Sequence, residues 1–138
     1  MKAPSRLIAV ALTMFLAAGC ITTYSEEVDK EEPGKYEKAA GFLAEEINTR
    51  IYNLQYQADV ELYQNMRRLA YIGEPAIPFL LEALNHESPR TRGSVAFIFG
   101  LIKDRRTIPD LVKHLDDKVP VVRYEIATTV CVMGSNEG

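Results

Sequence analysis

The sequence predicts an all-α protein, an α-α superhelix of stacked helical hairpins preceded by a long N-terminal helix, and three observations carry that expectation. Apolar side chains recur at helical spacing from Ala40 to Leu69. The phrase Ala76-Ile77-Pro78-Phe79-Leu80-Leu81-Glu82-Ala83-Leu84 is echoed 31 residues later by Thr107-Ile108-Pro109-Asp110-Leu111-Val112-Lys113-His114-Leu115. Gly73, Pro75, Pro89 and Pro120 punctuate the connections between apolar runs. Repetition at a fixed period marks units that bury their apolar faces only against one another.

In chain order, the first segment reads as an address rather than a fold. Lys2 and Arg6 precede a mostly apolar run from Leu7 to Leu16, followed by Ala17, Ala18 and Gly19, which predicts a signal peptide over residues 1–19. The run is about half of the roughly 20 residues that cross a bilayer, so a permanent span is not expected. Residues Leu16-Ala17-Ala18-Gly19-Cys20 resemble the lipobox of bacterial lipoproteins. That resemblance implies cleavage before Cys20 and acylation of its sulfur, which would hold the chain to a membrane. Ala17 stands where the family prefers a large aliphatic residue, and ordinary cleavage to a secreted form is the alternative. If the organism is Gram-negative, Ile21 after the cysteine, in place of the aspartate associated with inner-membrane retention, favours the periplasmic side of the outer membrane. With Cys20 acylated, Cys131 has no partner for an intrachain disulfide and reads as a small buried hydrophobe.

Residues 20–35 are acidic, contain Pro33-Gly34 and lack an apolar period, which predicts a flexible tether. Residues 21–59 hold nine acidic against four basic side chains, and residues 60–138 are balanced at ten against ten. A chain without a basic surplus is not expected to bind nucleic acid nonspecifically. Over residues 36–72 the stripe Ala40, Leu43, Ile47, Ile51, Leu54, Ala58, Leu62, Met66, Leu69 keeps one phase. One long helix is the preferred reading. A break near Gln57 to Asp59, with Asp59 as N-cap, would instead give a degenerate first helical pair. Tyr52, Tyr56 and Tyr63 read as packing aromatics.

Residues 74–134 divide into two repeats, 74–103 and 104–134, each of two helices. Ser88-Pro89 and Pro120 suit helix starts, and Thr107 with Asp110 has capping-box spacing. These residues resemble the HEAT family, particularly its short variety of about 30 residues also seen in phycobilin-lyase-like proteins. The matching elements are Ile72 to Leu84 with Pro89 to Ala96, and Leu101 to Ala127. The resemblance implies a structural ladder in which an aspartate six residues before a conserved-type arginine links neighbouring units. Asp117 fits that place before Arg123, whereas His86 occupies it before Arg92.

No Gly-rich phosphate loop, nucleophile elbow or metal-ligand spacing is present, so no catalytic residue, metal or cofactor is expected. His86, His114 and the turn Lys103, Arg105, Arg106 read as solvated groups. Phe97, Ile98 and Leu101 fall outside the core-facing positions of their helix; either the helix is sandwiched between neighbours and apolar all round, or these three are the candidate partner-binding residues of an exposed patch. The sequence therefore predicts a non-catalytic, membrane-tethered interaction module or scaffold of the bacterial cell envelope, with an unidentified envelope protein as partner. A lyase-like protein binding a chromophore or small ligand is one alternative. A structural subunit that completes its stack in an oligomer is another.

Overall fold

A computed structural model describes residues 36–135 as six α-helices, with no strand among the described residues. The expected signal peptide, the tether and Cys20 lie outside the described residues. The helices are α1 (Gly41–Asn53), α2 (Asp59–Ile72), α3 (Ile77–Ala83), α4 (Pro89–Ile102), α5 (Ile108–Val112) and α6 (Pro120–Gly134). Short 3-10 turns, Glu74–Ala76 and Arg105–Thr107, lead into α3 and α5. The second helices of the three pairs, α2, α4 and α6, pack side by side, with α4 in the middle. Among the first helices, α1 packs on α3.

The helix starts follow from local chemistry. Proline, which lacks the N–H that an opening helical turn cannot use, stands in the first turns of α3, α4, α5 and α6. Ser88 caps α4 by accepting the Thr91 N–H at 3.4 Å. The capping box expected of Thr107 and Asp110 does not form. The Thr107 hydroxyl donates back to Asp104 O at 2.7 Å, while the Asp104 carboxylate caps the turn by accepting Arg106 N–H at 3.0 Å. Where α4 ends, Lys103 takes the left-handed conformation at φ 59°, a position that glycine fills at less strain.

The single long helix preferred from sequence is instead two. Leu54 to Gln57 turn back on Ile51 O and Asn53 O, and α2 begins after Ala58, with Asp59 in its first turn at φ 47° rather than at the cap. The apolar stripe keeps its phase because Leu54 and Ala58, within the turn, keep the spacing of four found in the flanking helices. Both arms of the hairpin then face one core. Ile47, Ile51, Leu54, Met66 and Leu69 from the stripe are buried together with Ile77, Leu80, Leu84, Val95, Phe99, Leu111, Val122 and Ile126. Buried Asn65 fastens the hairpin, its amide donating to Arg50 O and Gln57 Oε1, both at 2.8 Å. The first of these is one of the terminal carbonyls that α1 leaves unpaired.

Residues 36–40 cross the first helices of the following units. Ala39 N–H donates to Pro75 O at 3.3 Å, Lys38 meets Glu82 at 3.1 Å above the Phe79 ring, and Arg106 stacks 4.9 Å from the Tyr36 ring centre. Arg106 also pairs with Asp104 at 2.6 Å and Glu74 at 3.5 Å, so this turn is tied down rather than simply solvated. Burial, reinforced by Asp104, Asp110 and Glu74, pushes the Tyr36 phenol up to about 12.

Candidate functional site

The junction between α4 and α6 is built on a buried ion pair. Arg92, in the first turn of α4, donates from Nε to Asp117 Oδ2 at 2.7 Å and from Nη2 to Asp117 Oδ1 at 2.9 Å. Its Nη1 donates to the carbonyls of His86 and Glu87 at 2.8 and 2.9 Å, within its own unit. Asp117 lies in the loop before α6, and its Oδ1 also accepts the Val119 N–H at 2.9 Å. Both side chains are more than nine-tenths buried. The fork geometry and the extra donors supply what water would otherwise give the two charges. The hydrogen bond from Arg92 holds the Asp117 carboxyl below the usual carboxylate range.

Arg92, Asp117 and Arg123, singled out from sequence as a ladder, are thus placed together, with a particular division of labour. The Asp117 carboxylate serves Arg92 of the preceding unit, and its backbone carbonyl accepts from Arg123 Nη1 at 2.6 Å. His86 occupies the place of Asp117 one repeat earlier. Its Nδ1 accepts Ser88 N–H at 3.0 Å, as Asp117 accepts Val119, so the loop-capping role is kept without a negative charge. His114 bridges two units, with Nδ1 2.9 Å from Asp110 O and Nε2 3.2 Å from Asn85 Oδ1.

Beside this junction the second helices leave an open groove of about 570 Å³, walled by Met66 of α2, Gly93 and Phe97 of α4, and Val119 and Val121 from the start of α6. Arg90 and Glu125 supply the charged part of its lining. Elsewhere along α4 the contact with α6 is close-packed. Thr129 Oγ1 donates to Ala96 O at 3.0 Å, and a methyl placed on Gly100 would lie 3.5 Å from that hydroxyl. Phe97 lines the groove at 37% exposure, its ring 6.4 Å from that of Tyr63. Leu101, one turn further along α4, is equally exposed. Ile98 is fully buried, so it belongs to the core and not to a contact surface; a helix flanked on both sides buries more than one stripe. The three tyrosines read as packing groups are also displaced from expectation. Tyr52, Tyr56 and Tyr63 are exposed, the first two with rings 5.3 Å apart.

A second groove, of about 690 Å³ and lined mostly by polar and charged residues, opens between α1 and α2. Glu46 anchors it, accepting from Arg50 at 2.9 Å and Arg68 at 3.3 Å, and Arg50 donates to Asn65 Oδ1 at 3.2 Å. Sequence reasoning missed it. The available signal was a Glu46 and Arg50 pair at helical spacing beside an asparagine next to the apolar stripe. Among the described residues there is no group of three or more His, Cys, Asp or Glu placed to hold a metal ion. No helix among them is long and apolar enough to cross a membrane.

Paired helices in register, second helices forming one wall and an arginine-aspartate bridge between units define a helical-repeat solenoid. Residues 66–137, just over half of the chain, match the HEAT repeats family, and the chain belongs to that family. It is also similar to deoxyhypusine hydroxylases. Identity is 38% over 66 residues with the protein of Coccidioides immitis, covering 46% of this chain and 20% of that protein. It is 35% over 78 residues with that of Schizosaccharomyces pombe, covering 54% and 24%. With that of Neurospora crassa it is 38% over 66 residues, covering 46% and 20%. The chain therefore spans about a fifth to a quarter of the length of the curated relatives it matches. These relatives correct the expectation of a non-catalytic envelope scaffold: proteins that share this stretch of sequence carry the name of an enzyme.

Replacing Asp117 by Asn leaves Arg92 buried without its counter-charge, and at neutral pH the variant is expected to lose about 3–5 kcal/mol of unfolding free energy. A carboxyl whose pKa is lowered by folding stabilises the fold above the ordinary carboxylate range, and that contribution disappears as pH falls through the lowered value. Urea titrations at a series of pH values should show the gap between wild type and Asp117→Asn closing below about pH 4. A gap that is constant with pH would contradict this role for the carboxylate.

Proposed function

We propose that this chain is the repeat portion of a hydroxylase-type enzyme, and that it holds the deoxyhypusine-bearing polypeptide on which such an enzyme acts. The observation that carries the reading is the 35–38% identity with three deoxyhypusine hydroxylases, in a chain whose residues 66–137 match the HEAT repeats family. The groove across α2, α4 and α6 supports it physically. It has an apolar wall with an aromatic anchor at Phe97 and charged groups at Arg90 and Glu125, the composition that grips a peptide while leaving its polar groups wet. The described residues hold the polypeptide.

The test uses the full chain and a synthetic peptide containing deoxyhypusine, with the same peptide carrying unmodified lysine as reference. The account expects the modified peptide to bind in preference, and the paired change Phe97→Ser and Leu101→Ser to weaken binding at least about tenfold while helical circular dichroism is retained. Equal binding of the two peptides, or unchanged affinity in the variant, would refute the assignment. Gain of one oxygen atom by the modified peptide, read by mass spectrometry, would extend the role to the reaction itself.

We also propose that the chain is exported and anchored through Cys20. The support is the leader alone: Lys2 and Arg6, the apolar run, and Ala17-Ala18-Gly19 before Cys20. Two or more acyl chains give stable attachment where one does not. Expressed in a bacterium and fed an alkynyl fatty acid, the wild-type chain should take up label and Cys20→Ser should not. Label retained by the variant, or absent from both, would contradict lipidation.

A further inference from the structure

The polar groove between α1 and α2 lies almost wholly ahead of residue 66, where the match to the repeat family begins, so repeat packing does not account for its chemistry. Its side chains are held in place before any ligand arrives. Arg50 and Arg68 both donate from Nε to one oxygen, Glu46 Oε1, at 2.9 and 3.3 Å, and buried Asn65 ties Arg50 to Gln57. Much hydrogen-bonding capacity is left over. Glu46 Oε2, the Nη groups of Arg68 and the side chains of Thr49, Asn53 and Gln64 make no hydrogen bond among the described residues. The charges of the lining nearly cancel, with Glu45, Glu46 and Glu61 against Arg50 and Arg68. A lone anion would meet the carboxylates and a lone cation the guanidiniums. A neutral ligand that both donates and accepts can use every one of these groups.

Bare aromatic rings accompany the groove. Phe42, in its wall, and Tyr71, whose ring centre lies 5.8 Å from the Arg68 guanidinium, are each 82% exposed. Toward the turn, Tyr52 and Tyr56 are next in sequence to the groove residues Asn53 and Gln57. Phe42, Tyr52, Tyr56, Tyr63 and Tyr71 all belong to the α1–α2 hairpin, whereas the other described helices leave only Phe97 and Tyr124 among their aromatic side chains exposed. An aromatic face left in water beside fixed polar groups suits a molecule that is apolar on one side and hydroxylated at its edges. Sugar rings have that form: their C–H face rests on an aromatic ring while their hydroxyls donate and accept around it.

We propose that the α1–α2 groove binds a neutral oligosaccharide, with a ring face on Phe42 and its hydroxyls on Glu46, Arg68 and the side-chain amides of Asn53, Gln57 and Gln64. The volume of about 690 Å³ is within the range of small-ligand sites. The inference is independent of the hydroxylase reading, whose groove lies beside Phe97.

The probes are two neutral disaccharides, maltose and N,N′-diacetylchitobiose, with inorganic phosphate and putrescine as an anion and a cation of small size. Each is titrated at millimolar concentration into the isotope-labelled full chain and followed by nuclear magnetic resonance. At least one disaccharide is expected to shift the side-chain amide signals of Asn53, Gln57 and Gln64 and the Arg68 Nε–H signal, and neither ion is expected to do so. Phe42→Ala removes an exposed ring, so helical circular dichroism should be retained while sugar affinity falls at least about fivefold, as loss of one stacking face requires. Tyr124→Ala removes an exposed ring from α6, away from the groove, and should leave sugar affinity unchanged. Absence of shifts with both disaccharides, equal or larger shifts with phosphate or putrescine, or the same affinity in Phe42→Ala and Tyr124→Ala would overturn the proposal.

Discussion

The arrangement of the second helices depends on one buried charge pair, Arg92 with Asp117, set between two units that are otherwise held by apolar packing. Such a pair is not a large net source of stability, because removing both charges from water costs nearly what their attraction returns. Its effect is on register. Once Arg92 is committed to the interior by Val95, Ala96 and Phe99 around it, any displacement of α6 along α4 leaves a bare guanidinium. The carbonyls of His86 and Glu87 fix the arginine to its own loop, and the Val119 N–H fixes the aspartate to the loop before α6. Thr129 then reaches Ala96 O across Gly100, a contact that a slipped helix would lose.

Much of this was legible in the amino-acid sequence because a repeat states its own geometry twice. Ile77 and Ile108, Leu80 and Leu111, and Val95 and Ile126 are matched positions, and all six are buried. Where only one copy exists, the reading was weaker. The α1–α2 hairpin looked like a single helix because Leu54 and Ala58 in its turn continue the helical spacing of apolar residues, and Asn65 shows its purpose only when its partners Arg50 O and Gln57 are seen in space. Of the two readings open for Ile98, burial in a sandwiched helix holds, because α4 is covered by both α2 and α6. The partner of Arg92 lies 25 residues downstream in the next unit, a separation that local spacing does not reveal.

Function was the least legible part, for a reason that belongs to repeat proteins generally. Each unit needs its apolar residues and its loops to stack, so most of the sequence describes architecture and little of it describes chemistry. The absence of a recognisable reaction motif suggested a scaffold, yet part of the chain is 35–38% identical to deoxyhypusine hydroxylases several times longer than the matched stretch. A recognition surface and a reacting centre need not sit in the same units.

The central claim is that the pairs are welded by the Arg92–Asp117 junction into one cooperative body. Native-state hydrogen exchange of the full chain tests it most directly. The account predicts that the slowest amides of α2, α4 and α6 share one opening free energy, and that they fall together when urea is added. Exchange in α6 through a separate opening, with α2 and α4 still protected at their full level, would contradict it.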